Sequence, residues 1–218
     1  MEQPESSLKH YYAARAREYD RVYAKPERQN DLRYLEVWLP TVFSGRRVIE
    51  VACGTGYWTQ FIAPKATHVV AIDATQETLG IARKRVAARN ADFLVADAYS
   101  LPDQLGRFDA AFAGFWLSHI PRSRIACFLD HLHARLEPGA AVVFLDNLYV
   151  EGSSSPIAEW DDQGNSYQSR ILADGSSHRV LKNFPSAEDL IKSIARIGEN
   201  PRFQRLDYYW VLQYDAAA

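Results

Sequence analysis

Cysteine is scarce: Cys53 and Cys127 are the only two in 218 residues, and they stand far apart in neither a zinc-knuckle nor a redox spacing. That excludes a disulfide framework and a paired-thiol metal site, so both are expected to be packing residues. An excess of charge of one sign is also lacking, since 25 Lys and Arg against 27 Asp and Glu leave a formal net charge of -2. No basic field is available to hold a phosphate backbone, which argues against nucleic acid as a partner. Long apolar runs are missing too. Glu2, Lys9, Arg15, Arg17, Glu18 and Asp20 interrupt the amino-terminal region, leaving no core for a signal peptide, and no later stretch approaches the ~20 apolar residues of a membrane span. The expectation is a cytoplasmic protein without a membrane partner.

What remains is the balance of a packed domain, with 47% hydrophobic and 24% charged residues in a length that suits one α/β unit. Apolar residues at helical spacing predict helices over 10–24 and 31–39. A β-rich run follows over 47–51, then the glycine turn at Gly54 to Gly56 and a helix from Tyr57 that Pro64 ends. Strands are predicted over 68–73, 92–96, 108–114 and 141–146. Helices are predicted over 75–90, with Thr75 as N-cap, and over 123–136, stopped by Pro138-Gly139. Residues 167–173 pair with 177–183 across the turn Asp174-Gly175, Ser186 with Asp189 opens a further helix in the manner of a capping box, and 207–214 is a last strand. Repeated strand and helix predicts a mostly parallel sheet covered on both faces, with ligands at the carboxyl ends of the strands. Four segments result: residues 1–44 ahead of the sheet, a core over 45–146, an insertion over 147–185, and a helix and strand over 186–218.

The segment VIEVACGTGYWT, Val48 to Thr59, carries the chemistry. Two glycines one residue apart let backbone approach a ligand at a helix N-terminus, but a dinucleotide fingerprint would place a third glycine where Thr59 stands. Glu50, Ala52, Cys53, Gly54, Thr55 and Gly56 resemble the E-x-x-C-G-x-G loop of class I S-adenosylmethionine-dependent methyltransferases. The resemblance runs from about Tyr11 to Tyr214. It implies a Rossmann-like, seven-stranded sheet whose last strand is antiparallel, S-adenosyl-L-methionine as cofactor and S-adenosyl-L-homocysteine as product.

Under that resemblance Asp73, 17 residues after Gly56, takes the place of the acid that accepts both ribose hydroxyls, with Ala74 beside it. Asp97 and Ala98 match the position that receives the adenine amino group, and Phe115 and Trp116 that of the covering aromatics. A capping Asp73, a solvated Asp97 and a core Trp116 are the bland alternatives. The amino-terminal segment resembles the aromatic lid of small-molecule members, with Tyr11, Tyr12, Tyr19 and Tyr23 closing over the methionine end. Tyr19 is assigned to the cofactor, and Tyr12 and Tyr23 to the acceptor.

Methyl transfer from a sulfonium is an in-line displacement that depends on positioning in a dry pocket, so a base is optional. His119, beyond the fourth strand, is the best candidate for one if the acceptor is a small molecule's hydroxyl or amine; the alternative is a scaffold histidine. Asp146-Asn147 resembles two metal ligands of catechol-type O-methyltransferases, but Gly114 or Phe115 occupies the third ligand's place, so no metal is expected. The insertion resembles the roof of an acceptor site, with Asn147, Tyr149, Tyr167, Arg170 and Lys182 as acceptor contacts. Arg170 and Lys182 could pair with a carboxylate or phosphate, or be solvated. A nicotinamide-dependent oxidoreductase and a non-catalytic cofactor-binding relative stay open as alternatives, and the sequence allows a homodimer.

Overall fold

The computed structural model describes residues 15–172 and 174–218, and the side chains of all of these except 16–19. His10, Tyr11 and Tyr12 lie outside the described residues, as does the Tyr19 side chain. A 3-10 stretch over Ala16–Tyr23 and a short turn over Pro26–Arg28 lead into α1, Gln29–Val42. The chain then alternates β1 Arg47–Val51, α2 Thr59–Ile62, β2 His68–Asp73, α3 Gln76–Arg85, β3 Ala91–Val95, β4 Phe108–Gly114, α4 Ile125–His133 and β5 Leu136–Asn147. Three strands follow, β6 Glu159–Trp160, β7 Ser166–Ile171 and β8 Ser177–Leu181, and then α5 Ala187–Ile194, β9 Gly198–Arg205 and β10 Tyr209–Ala216.

The main sheet has seven strands in the order β3-β2-β1-β4-β5-β10-β9. Strands β1 to β5 run parallel, and β10 pairs antiparallel with both β5 and β9. Alternate residues of each central strand serve opposite faces. Val48, Ala110 and Phe112 pack toward Leu32, Leu35 and Leu39 of α1, whereas Ile49, Ala111 and Ala113 face Phe128, Leu129 and Leu132 of α4. Both faces are thus covered, as the continuous apolar runs require. The reversal of strand order between β1 and β4 opens the crevice at their carboxyl ends.

Several expectations are corrected. The helix expected to reach Leu136 ends at His133, because Leu136 already pairs with Phe108 and the Phe108 N–H donates to the Arg135 carbonyl. Pro138-Gly139 therefore lies in an irregular opening of β5 rather than behind a helix. The helix expected to run to Asn90 stops at Arg85: Val86 turns extended and is buried, and the Asn90 amide donates to the carbonyls of Ala63 and Ala66, both at 2.9 Å. Thr75 stands at the N-cap but its hydroxyl serves Asp73 instead of capping. The Ser186–Asp189 capping box forms on both sides. Cys53 is buried as expected, but Cys127 is exposed.

The hairpin closes as a three-stranded antiparallel sheet, with Gln168 opposite Val180 and β6 added at its edge. It is fastened over the carboxyl end of β4 by the Asn183 N–H on the Ser118 carbonyl (2.8 Å) and the Lys182 ammonium on Asp146 (2.7 Å). No helix among the described residues is long and apolar enough to cross a membrane.

Candidate active site

The chain turns at once after β1. Ala52, Gly54 and Gly56 take positive φ values of 54°, 56° and 73°, and the Cys53 N–H donates to the Ile72 carbonyl at 2.9 Å, fixing the turn against β2. Gly56 is demanded by space as well as by φ, since a Cβ there would lie 3.0 Å from the Ala82 Cβ and 3.1 Å from its Cα on α3. The result is bare backbone at the mouth of the crevice.

Beneath the turn, Glu50 is 1% exposed, and its Oε2 has no hydrogen-bond partner among the described residues. Burial pushes its carboxyl up to about 8; the Thr59 hydroxyl pulls the other way and the Asp73 carboxylate adds to the rise. Asp73 ends β2 with its oxygens turned partly inward. Oδ2 accepts the Gly54 N–H at 2.9 Å, and Oδ1 accepts the Thr75 N–H (3.0 Å) and the Thr75 and Thr78 hydroxyls (3.0 and 2.9 Å). One carboxylate therefore holds the glycine turn to the start of α3. Asp97, after β3, is exposed, and its Oδ1 accepts the Tyr99 N–H at 2.9 Å, shaping the turn that buries Ala98. Phe115 follows β4 with φ 59°, held by its N–H on the Leu145 carbonyl at 2.7 Å. The Trp116 Nε1 is buried without an acceptor among the described residues.

The amino-terminal stretch is tied to this turn. The Thr55 hydroxyl donates to Asp20 at 2.7 Å, and Arg85 pairs with Asp20 while donating to the Thr55 carbonyl (3.0 Å) and hydroxyl (2.9 Å). Tyr23 stacks on Tyr57, with centroids 3.5 Å apart and planes 4° from parallel, and leans on Trp58 and Phe115.

A cavity of about 530 Å³ opens beside Phe115, lined by β7, by Lys182 and Phe184 just after β8, and by residues of the amino-terminal segment. His119, Asn147, Arg170 and Lys182 line it. The His119 Nδ1 donates to the Leu181 carbonyl at 2.6 Å, so Nε2 carries the lone pair. Burial, followed by the Lys182 and Arg170 cations, holds this histidine well below its ordinary pKa against the pull of Asp146, so it is neutral at physiological pH. Asp146 is itself fully buried: it takes the Lys182 ammonium, the Ser118 N–H (3.0 Å) and the Asn147 N–H (2.7 Å). Burial alone would raise its carboxyl; the Lys182 ammonium, by its charge and its hydrogen bond, and then the Ser118 hydrogen bond hold it below the usual carboxylate range. Asp146 is committed inside the protein, and among the described residues no cluster of three His, Cys, Asp or Glu side chains could hold a metal.

A methyltransferase domain model matches residues 48–139. The chain is 26% identical to DhpI in complex with SAM and HEP, over 98% of this chain and 99% of that one, with a TM-score of 0.81. The DhpI complex with SAH gives 27% identity and a TM-score of 0.80, over 97% and 96% of the two chains. The domain match and the full-length likeness to DhpI together support a class I S-adenosylmethionine-dependent methyltransferase. Among curated relatives of the methyltransferase, the ubiquinone/menaquinone biosynthesis C-methyltransferase UbiE of Coxiella burnetii is 27% identical over 216 residues, covering 88% of this chain and 83% of that protein. A demethylmenaquinone methyltransferase of Clavibacter sepedonicus is 34% identical over 104 residues, 47% of this chain but 42% of the relative's own length.

Of the residues singled out from the methyltransferase sequence, Glu50, Ala52, Gly54, Thr55, Gly56, Asp73 and Ala74 meet at the ends of β1 and β2, and Asn147, Arg170 and Lys182 meet in the cavity. Three expected acceptor contacts sit elsewhere. Tyr23 is packed in the aromatic cluster, Tyr167 is buried with its hydroxyl on Asp161 at 2.9 Å and its ring beneath Arg179, and Tyr149 packs edge-on against Phe184. Lys25, Arg28, Ser153, Gln168 and Tyr209 line the cavity without having been anticipated. Only long-range packing brings them there, and no local pattern marks them.

Proposed function

We propose that this chain transfers a methyl group from S-adenosylmethionine to a nitrogen or oxygen of a small molecule bound in the cavity beside β7. The observation that carries this reading is the position of Phe115. It touches the glycine-turn aromatics through Trp58 and Tyr23, and it also lines the cavity, so one ring separates the candidate cofactor turn from the candidate acceptor space. The cavity volume falls in the ordinary range for small-molecule sites, about 300–1,000 Å³.

The residues present fit the cofactor. Glu50 offers an unpartnered buried oxygen, Gly54 and Gly56 supply the positive-φ turn that a side chain would strain, and Asp73 and Asp97 stand at consecutive strand ends as acceptors for ribose and adenine. When bound, the cofactor supplies an electrophilic methyl on a sulfonium. The chain's own work is to orient and to keep water out: Phe115 and Trp116 cover the crevice, and Asp20 and Arg85 latch the amino-terminal stretch to Thr55. His119, neutral and on the cavity wall, is placed to orient a hydroxyl or amine there. Because its pKa is held low it is a weak base, and it orients a nucleophile better than it removes a proton. His119→Ala is expected to lower turnover about tenfold or more with S-adenosylhomocysteine affinity unchanged. Turnover equal to the parent's at every pH would remove His119 from the chemistry.

Glu50 gives a readout independent of turnover. Its folded pKa is raised above the unfolded value, so its contribution to stability is full below about 4.5 and is lost as pH rises through about 8. At neutral pH the carboxyl of the cofactor-free protein is mostly protonated. An ammonium held beside it would favour the carboxylate, and the cofactor and its product both carry one on their amino-acid tail, so binding of either at about pH 7 is expected to release up to roughly one proton. Calorimetry of S-adenosylhomocysteine in buffers of different ionisation enthalpy measures this, and Glu50→Gln abolishes it. Enthalpies that do not vary with buffer would contradict the placement of Glu50. Methyl transfer itself is tested with tritiated S-adenosylmethionine and a panel of small amines, alcohols, phenols and acids. Label in one of these supports the reading, whereas label only in protein or RNA overturns it.

A further inference from the structure

The described lining of the cavity is rich in cations. Among the described residues its lining holds Arg15, Arg21, Lys25, Arg28, Arg170 and Lys182 and no carboxylate. Arg28 is the informative one. It is 5% exposed, and its hydrogen bonds go to neutral acceptors: Nη1 to the Asn147 Oδ1 at 2.8 Å, Nε and Nη2 to the Ser153 Oγ at 3.1 and 2.9 Å, and Nη2 to the Ser153 carbonyl at 3.3 Å. The Lys25 ammonium donates to the same Ser153 carbonyl, so two cations converge on one side of the cavity.

None of the nearby carboxylates among the described residues makes a direct ion pair with Arg28 or Lys25. Asp146 takes Lys182, Asp31 accepts the Tyr208 N–H at 2.7 Å, and Glu27, at the surface, accepts the Ser153 hydroxyl at 2.7 Å. Burial, then the Arg28 charge, lower the Lys25 pKa, with Glu27 opposing. A guanidinium withdrawn from water without a directly paired carboxylate is costly; the Tyr208 and Tyr209 rings beneath Arg28 and the surface Glu27 behind Ser153 offset this only in part, and a second cation beside it adds to the cost. A buried guanidinium with a half-buried ammonium beside it, both on the wall of a cavity, is suited to an anion that arrives from outside. A guanidinium fork matches the paired oxygens of a carboxylate or phosphoryl group, and the nearby ammonium adds a point charge.

We propose that the acceptor bears an oxyanion, a carboxylate or a phosphoryl group, which Arg28 and Lys25 hold at the Ser153 side of the cavity. This rests on the reading of the cavity as the acceptor site. Lys182 has two of its donors on Ser118 (2.6 Å) and Asp146 (2.7 Å) and contributes a hydrogen bond at most, its charge being neutralised. The anion can be the handle or the nucleophile. If it is the nucleophile, an O–CH3 bond forms as the S–CH3 bond breaks, the electron pair stays on sulfur, and no proton has to be removed.

The test is calorimetric titration of inorganic phosphate and, separately, of acetate into the full chain already saturated with S-adenosylhomocysteine. One of the two is expected to bind saturably, and which of them does so distinguishes a phosphoryl from a carboxylate acceptor. Arg28→Gln should weaken that binding at least about tenfold and Lys25→Met about threefold, with S-adenosylhomocysteine affinity unchanged in both. If Arg28→Gln does not fold, the Lys25→Met measurement decides alone. Absence of saturable binding by both anions, or binding indifferent to these substitutions, overturns the proposal. A parallel loss of S-adenosylhomocysteine affinity also overturns it, because Arg28 would then serve the cofactor's own carboxylate. Failure of S-adenosylhomocysteine to bind the unaltered chain strikes the cofactor assignment instead, and is seen before any anion is added.

Discussion

Lys182→Met is expected to destabilise the fold by about 3–5 kcal/mol at neutral pH, the usual result of removing one member of a buried ion pair. Asp146, with no exposed surface, would keep its Ser118 and Asn147 N–H donors but lose the Lys182 ammonium at 2.7 Å. The sign of the pH dependence is diagnostic. In the intact protein the Asp146 carboxyl is held below its ordinary 3.8, so its contribution is present above that value and lost only in strong acid. Without Lys182, burial dominates and the folded pKa rises above the unfolded one. The penalty should then grow as pH rises and shrink toward about pH 4. Adding Asp146→Asn to Lys182→Met removes the stranded charge and should recover a large part of the loss. Urea unfolding at several pH values measures all three chains. A Lys182→Met chain within about 0.5 kcal/mol of the parent would show that the pair is not sealed from water as described.

Asp73→Ala should have two separable effects. The carboxylate accepts four hydrogen bonds that join the glycine turn to α3, at 2.9 to 3.0 Å, so its removal loosens the turn and costs about 2–4 kcal/mol of stability. It also removes the acceptor proposed for the ribose hydroxyls, and S-adenosylhomocysteine affinity should fall about 10- to 100-fold or more, which is about 1.4 to 2.8 kcal/mol. Thr78→Val separates the two, because it deletes one of the internal hydrogen bonds without touching the proposed ribose acceptor. It should lower stability by about 1 kcal/mol and leave affinity within about twofold. Equal affinity losses in both variants would reduce Asp73 to a structural role.

How much of this was legible follows from where each residue's neighbours lie. β1, β2 and β4 have the bounds expected from sequence, because central parallel strands are short apolar runs framed by turn residues. β9 was not anticipated. It is an edge strand with Glu199, Arg202 and Arg205 turned to solvent and Pro201 within it, features that blunt an edge and also erase the alternation by which a strand is read. The α4–β5 junction was misplaced because Leu136 continues the helical stripe locally, while pairing with Phe108 decides its conformation. The cofactor turn was visible since its glycines and Asp73 lie within one strand–turn–helix unit. The cation pair of the cavity was not: Arg28 reaches Ser153 across 125 positions, and in the sequence it is one arginine among many at the start of a helix. Lys182 was noticed as a charge, but its partner in Asp146 and its burial come only from the sheet that closes over β5.

The central claim is that the turn after β1, with Glu50 beneath it and Asp73 beside it, is shaped for an adenosylated amino acid. Calorimetric titration of the purified chain with S-adenosylhomocysteine, with NADH as control, tests this most directly. The account predicts one site per chain for S-adenosylhomocysteine, a buffer-dependent enthalpy, and no heat from NADH; saturable NADH binding with no response to S-adenosylhomocysteine would contradict it.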